Sequence, residues 1–266
     1  MNSTKWTASR IQALKGREKV VALTAYDYST ARIMDATGLQ LILVGDSLGM
    51  TVLGYKNTLP VTMTEMLHHV AAVVRGTENA MVVADMPFMS YQTSTARALE
   101  NAGRFIKKAG ADGVKVEGGA LRAPMVAEMV ANGIPVLGHV GLTPQSIRAM
   151  GGYKVQGKSS GQAQRLLSDA AALAQAGAFA IVLECVPRKL AEEITAAVSV
   201  PIIGIGAGPA CDGQVLVSHD LLGLYGEMTP KFVKRYADLG AEMKRAFEAY
   251  KKDVETGAFP SDEHCY

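Results

Sequence analysis

The chain has 266 residues, 48% hydrophobic and 20% charged, with 27 basic and 25 acidic residues for a net charge of +2. This balance excludes an intrinsically disordered chain and argues against a nucleic-acid partner, and no stretch of about 18 apolar residues is present to span a membrane. Residues 1–19 are polar where a secretion signal would be apolar, and Cys185, Cys211 and Cys265 form neither a zinc pattern nor a disulfide framework, so a cytoplasmic protein is expected.

In chain order, aliphatic runs at 20–24 and 41–44 read as the first two strands. The sequence Thr62-Met63-Thr64-Glu65 is a capping box and opens a helix ending near Arg75. A strand at 81–85 follows, then a helix over 93–109 stopped by Gly110, then a strand at 113–117. The fifth strand is 136–139, followed by a glycine-, lysine- and serine-rich loop at 151–161. A helix over 161–176 stops at Gly177, and a sixth strand at 180–184 precedes a short helix over 190–198. Strands at 201–205 and, less clearly, 215–217 come next, and an amphipathic helix over 231–252 closes the chain.

The strand runs are apolar throughout rather than alternating. This is the pattern of a parallel sheet covered on both faces. Eight such strands alternating with helices predict a single-domain α/β protein, a (β/α)8 TIM-type barrel over 1–266, with 1–19 as an N-terminal segment and 231–266 as a C-terminal helix and tail. An open doubly wound sheet is the alternative, weakened because no Gly-x-Gly-x-x-Gly opens a helix after the first strand. The repeat of AGADGVKVE (109–117) as AGAFAIVLE (176–184) argues for the fold and not for a function.

Asp46, Asp85, Glu117, His139 and Glu184 each stand at the end of an aliphatic run. In a barrel those ends share one mouth. One acid at a strand end is ordinarily a cap or turn anchor. Four carboxylates on one face would repel and raise one another's pKa values unless a hard cation joined them, and the absence of thiolate or histidine clusters favours magnesium or manganese. Lys115 lies two residues before Glu117, so alternation puts both side chains on one face. A buried Lys–Glu pair is costly and marks function more often than stability. His139 is as well explained by structural hydrogen bonding as by catalysis. His68 and His69 read as structural, His219 is ambiguous, and Cys185 has no base placed to activate it.

Longer strings now coincide with one family: LTAYDY (23–28), VGDSLGM (44–50), TLPVT (58–62), ADMPF (84–88), VKVEGG (114–119), GHVGLTPQS (138–146), GGYKVQG (151–157), LECVP (183–187), GIGAG (204–208) and DGQVLV (212–217), then His219 and Asp220. Together they resemble the ketopantoate hydroxymethyltransferases, over nearly the whole chain. The resemblance implies a Mg2+-dependent barrel enzyme of pantothenate and coenzyme A biosynthesis. It implies transfer of a one-carbon unit from 5,10-methylenetetrahydrofolate to 3-methyl-2-oxobutanoate, giving 2-dehydropantoate through an Mg-stabilised enolate.

By the same resemblance Asp46, Asp85 and Glu117 match the metal site. Asp46, Ser47, Asp85, Lys115 and His139 match the substrate pocket, with the role of His139 left open. Glu184 matches the proton acceptor. A homo-oligomer, commonly a decamer, is implied, so the C-terminal helix packs either on a neighbour or on its own barrel. Tyr55, Lys56 and Asn57 stand where many relatives carry an acid. Two rivals are a lyase barrel of the isocitrate lyase and phosphoenolpyruvate mutase type, which would carry a reactive-cysteine loop, and a non-catalytic binding barrel, which would have no need of Lys115, Glu117 and Glu184.

Overall fold

The computed structural model describes residues 5–226 and 230–266. Residues 1–4 of the expected N-terminal segment lie outside the described residues. The chain divides into two compact units, one ending at Val217 and the other beginning at Ser218.

The first unit holds β1 (Val20–Thr24), β2 (Leu41–Val44), β3 (Met81–Asp85), β4 (Gly113–Glu117), β5 (Val136–Gly141), β6 (Ala180–Glu184), β7 (Ile202–Ile205) and β8 (Gly213–Leu216). Each strand pairs with the next in parallel, and β8 pairs with β1, so the eight close into a barrel. The expected (β/α)8 architecture is what the chain adopts, and the open-sheet alternative falls. Every residue of β2, β3, β4 and β5 is buried, as runs without alternation require. On β1, by contrast, Val21 is 50% exposed, and on β8 Gln214 faces solvent. That broken burial is why the eighth strand was the faint one in the sequence. It begins at Gly213, two residues before the apolar run.

The helices of this unit are α1 (Ala8–Gln12), α2 (Tyr28–Asp35), α3 (Leu48–Thr51), α4 (Met63–Arg75), α5 (Thr95–Arg104), α6 (Ala123–Ala131), α7 (Ile147–Met150), α8 (Ser160–Gln175) and α9 (Arg188–Ala197). The capping box of α4 is formed: Thr62 Oγ1 accepts from Glu65 N at 3.2 Å and Glu65 Oε2 accepts from Thr62 N at 2.7 Å. Met66, Val70 and Val73, spaced i, i+4, i+7, are its buried stripe. Such side chains contribute roughly 1.5–3 kcal/mol each when fully buried.

The helix expected over 93–109 is not one α-helix. α5 starts at Thr95, because Ser94 accepts from Arg97 N, and residues Phe105–Ala109 continue as a π-helical turn that ends on Gly110 at φ 78°. α9 starts at Arg188 rather than 190, directly after Pro187. The sequence reading missed α2, which Asp27 caps by accepting from Thr30 N, and α6, whose first turn contains Pro124.

The second unit contains α10 (Ser218–Leu221) and α11 (Leu239–Thr256). α11 starts eight residues after the expected 231, because Asp238 caps it by accepting from Ala241 N. No residue of α11 is buried, and Met243, Phe247, Tyr250 and Val254 form an exposed apolar stripe.

Candidate active site at the C-terminal mouth of the barrel

Strand register assembles the site. Asp85 on β3 lies beside Lys115 on β4, Glu117 on β4 beside His139 on β5, and Gly141 on β5 beside Glu184 on β6. Asp46 follows β2, and its backbone N donates to Asp85 Oδ2 at 3.2 Å. The five ionisable strand ends and Lys115 therefore gather on one face of the barrel. Asp46, Asp85, Lys115, Glu117 and His139 are each at most 4% exposed, whereas the side chain of Glu184 keeps 15% of its surface open.

Lys115 is the hub. Its Nζ donates to Asp85 Oδ1 at 2.7 Å and stands 3.9 Å from Glu117 Oε1. Lys115 and Glu117 do share a face, as alternation predicted. His139 Nε2 is 3.1 Å from Glu184 Oε2, and Nδ1 is 3.6 Å from Glu117 Oε1. These are ion-pair distances without hydrogen-bond alignment, since both ring nitrogens and Glu117 Oε1 are buried without a hydrogen-bond partner.

Burial, then the charges of Asp85 and Glu117, push the Asp46 carboxyl well above its usual range. Burial also raises Asp85, while the Lys115 cation beside it works in the opposite direction. Burial disfavours the Lys115 ammonium, but the charges of Asp85, Glu117 and Asp46 outweigh that and raise its pKa. For His139, burial and then Lys115 oppose protonation, yet the carboxylates of Glu117 and Glu184 lift it to about 9.

Ser47 Oγ is 2.8 Å from the Tyr26 hydroxyl. His69 Nδ1 is 2.7 Å from Tyr26 O, a structural contact as expected, and Tyr55 donates to Glu65 Oε1 at 2.8 Å. Gly141 is at φ 96°, and a β-carbon there would run into the Glu184 carbonyl oxygen, so only glycine lets β5 and β6 meet at this point. Cys185, the next residue, has φ 49° and a half-buried thiol that burial and then the Glu184 charge push up to about 12. A thiol so raised disfavours the thiolate that nucleophilic chemistry needs.

Sequence reasoning missed Gln145 and Tyr91. Both are buried, and Gln145 Nε2 donates to Asp46 Oδ2 at 2.9 Å. Gln145 lay within the GHVGLTPQS string, but a neutral amide carries no charge signal.

Among the described residues, no group of three or more His, Cys, Asp or Glu side chains is placed as it stands to hold a metal ion. The donor chemistry nevertheless fits a hard divalent cation. Three buried carboxylates face one ammonium, and Glu117 Oε1 is an orphaned acceptor among them.

A parallel eight-stranded barrel with its charged groups on the C-terminal rim defines a barrel enzyme. The fold is shared with phosphoenolpyruvate phosphomutase from Streptomyces platensis subsp. rosaceus, at TM-score 0.63 and 15% identity over 94% of this chain and 88% of that one. It is also shared with 2,3-dimethylmalate lyase, a PEP mutase/isocitrate lyase superfamily member, at TM-score 0.62 and 17% identity over 98% and 89% of the two chains. The ketopantoate hydroxymethyltransferase family model matches residues 5–262, and the chain belongs to that family, a family of transferases. The 3-methyl-2-oxobutanoate hydroxymethyltransferase of Carboxydothermus hydrogenoformans is 59% identical over 98% of this chain and 95% of its own length. No helix among the described residues is long and apolar enough to cross a membrane.

Proposed function

We propose that this protein transfers a hydroxymethyl group from 5,10-methylenetetrahydrofolate to 3-methyl-2-oxobutanoate, giving 2-dehydropantoate. The observation that carries the chemistry is the separation of Glu184 from the other acids. It stands on its own strand, partly open, with His139 Nε2 3.1 Å from its carboxylate, while Asp46, Asp85 and Glu117 crowd around Lys115.

Asp46, Asp85 and Glu117 would hold Mg2+. When bound, the ion supplies Lewis-acid polarisation of the 2-oxo acid, a charge stabilisation worth several kcal/mol. Lys115 receives the negative end of the substrate. Ser47, with its hydroxyl fixed by Tyr26, and the Asp46 and Asp85 edge position the rest of it. Glu184 takes the proton from C3. C3 then bonds to the methylene carbon in place of one C–N bond to the folate, a water oxygen replaces the second, and the proton held by Glu184 and the remaining water proton pass to the two freed folate nitrogens. His139, with Nε2 3.1 Å from Glu184 Oε2, flanks the base on the barrel side.

Deuterium exchange at C3, followed by proton NMR with Mg2+ and without folate, tests the base. Glu184→Gln should slow exchange by about 10²- to 10⁴-fold while the 2-oxo acid still binds. Exchange at the wild-type rate in that variant would overturn the assignment. The lyase reading is separated by the dependence of product formation on folate.

The assembly proposed is a cytoplasmic homo-oligomer, a decamer by family. The exposed stripe on α11 and the free state of Cys185, Cys211 and Cys265 support this reading. Sedimentation equilibrium reads the mass.

A further inference from the structure

The acidic cluster needs more than its own strands to hold its shape. Asp46 and Glu117 come from different strands, and backbone register does not set their carboxylate planes. One residue touches both. The backbone N of Gln145 donates to Glu117 Oε2 at 3.0 Å, and its side-chain Nε2 donates to Asp46 Oδ2 at 2.9 Å.

The amide of Gln145 is itself fully specified. Nε2 also donates to Met86 O at 2.9 Å, the carbonyl beside Asp85 in the chain. Oε1 accepts from the Tyr91 hydroxyl at 2.8 Å and from Gln92 Nε2 at 3.1 Å. Both amide hydrogens and both lone pairs of Oε1 are therefore used. Flipping the amide would set Oε1 against two acceptors and Nε2 against two donors. Tyr91 is held in turn, since its oxygen accepts from Glu117 N at 3.0 Å and its hydroxyl proton faces Gln145 Oε1 at 2.8 Å, with Glu117 O farther off at 3.3 Å. Tyr91 is 1% exposed and Gln145 4%.

The result is an asymmetry in Glu117. Oε2 is clamped by Gln145, and Oε1 is left buried and unpartnered, turned toward Lys115 and His139. A clamp that occupies one oxygen of each of two carboxylates leaves the opposite oxygens to a ligand. That is what a preorganised cation site requires of the groups behind it.

We propose that Gln145, oriented by Tyr91, is the positioning residue that presets the Asp46 and Glu117 carboxylates for a divalent cation. This rests on the function proposed above and deepens it. Neither residue touches the reacting carbon, so neither is catalytic. Because Nε2 of a mispositioned amide would be replaced by water, loss of the clamp is expected to weaken cation binding rather than to abolish it.

The test uses Mn2+ as the probe on the full chain, without 2-oxo acid or folate, and reads free Mn2+ by electron paramagnetic resonance. Gln145→Leu keeps the backbone donor to Glu117 and removes the side-chain bonds. It should weaken Mn2+ binding by about 10- to 100-fold, with far-UV circular dichroism unchanged. Tyr91→Phe removes one hydroxyl, and should weaken Mn2+ binding less and raise KM for the 2-oxo acid more than it lowers kcat. Wild-type Mn2+ affinity in Gln145→Leu overturns the proposal. Should Gln145→Leu not fold, wild-type affinity in Tyr91→Phe overturns it equally. Failure of the unaltered protein to take up Mn2+ would instead sink the cation reading of the whole site, and the clamp with it.

Discussion

Asp35 and Asp46 are both buried aspartates, 7% and 3% exposed, at opposite ends of one barrel. Asp35, the last residue of α2, accepts from the residues that lead into β3: Glu78 N, Asn79 N and Ala80 N at 3.0, 3.0 and 2.7 Å, and the Asn79 side chain at 2.9 Å. Burial works to raise its pKa, but these bonds win and hold it below the usual value. Asp46, at the C-terminal end, takes one side-chain donor from Gln145 and faces two other carboxylates, and its pKa is raised. The same residue type is a staple at one end and an unmet demand at the other. Burial alone therefore says little about a carboxylate's role. What distinguishes the two ends is whether folding itself supplies the donors.

The sharpest way to break this contrast is to remove the ammonium at the centre of the mouth. Lys115→Met leaves Asp85 buried without its ion-pair partner, and should cost about 3–5 kcal/mol in metal-free protein. Urea denaturation in the presence of a chelator measures it. A loss under 1 kcal/mol would mean the carboxylates are already neutral or hydrated.

Removing a staple should cost less. Asp35→Asn replaces one accepting oxygen by a donor and strands at least one backbone N–H, a loss of about 1–3 kcal/mol. The pH dependence should carry opposite signs at the two ends. Asp35 has a depressed pKa when folded, so its stabilisation is full above 3.8, the unfolded value, and fades as pH falls through the folded one. Asp46 has a raised pKa, so the folded state binds its proton more tightly and stability falls as pH rises from 3.8 through the folded value. Asp46→Asn should thus stabilise metal-free protein at pH 7 by about 0.5–2 kcal/mol while activity is lost. Thermal unfolding from pH 3 to 8 of both variants reads the two signs.

The smallest effect is expected beside the base. Cys185 sits at φ 49°, a conformation glycine adopts without penalty. Cys185→Gly should change stability by less than about 1 kcal/mol and leave C3 exchange intact. A large loss of exchange would show that the thiol, not the backbone, positions Glu184.

Most of the barrel was readable because its strands are buried on both faces and then stop at a charge. β2, β3, β4 and β6 begin and end where the aliphatic runs do. The last helix was misplaced because an amphipathic pattern has no sharp edge, and its start depends on the cap at Asp238. Thr93 fell outside α5 for the same reason, with Ser94 setting the boundary. In the site, the ionisable members announced themselves, because a charge at the end of an apolar run is conspicuous. Gln145 did not, because its importance lies in contacts with Asp46, 99 positions away, and Tyr91, 54 away. Neither contact leaves a local pattern.

The closure of the ring carries a consequence for how the protein reaches this state. β8 meets β1 through pairs such as Val20 with Gly213, which join nearly opposite ends of the first unit. Contacts so distant along the chain form late, since a long loop must be closed before they contribute. The charged groups all come from β2 to β6 and their following loops, so neither strand of the closing pair supplies one of them. The seam that completes the ring is free of charge, and its pairing takes no ionised group out of water.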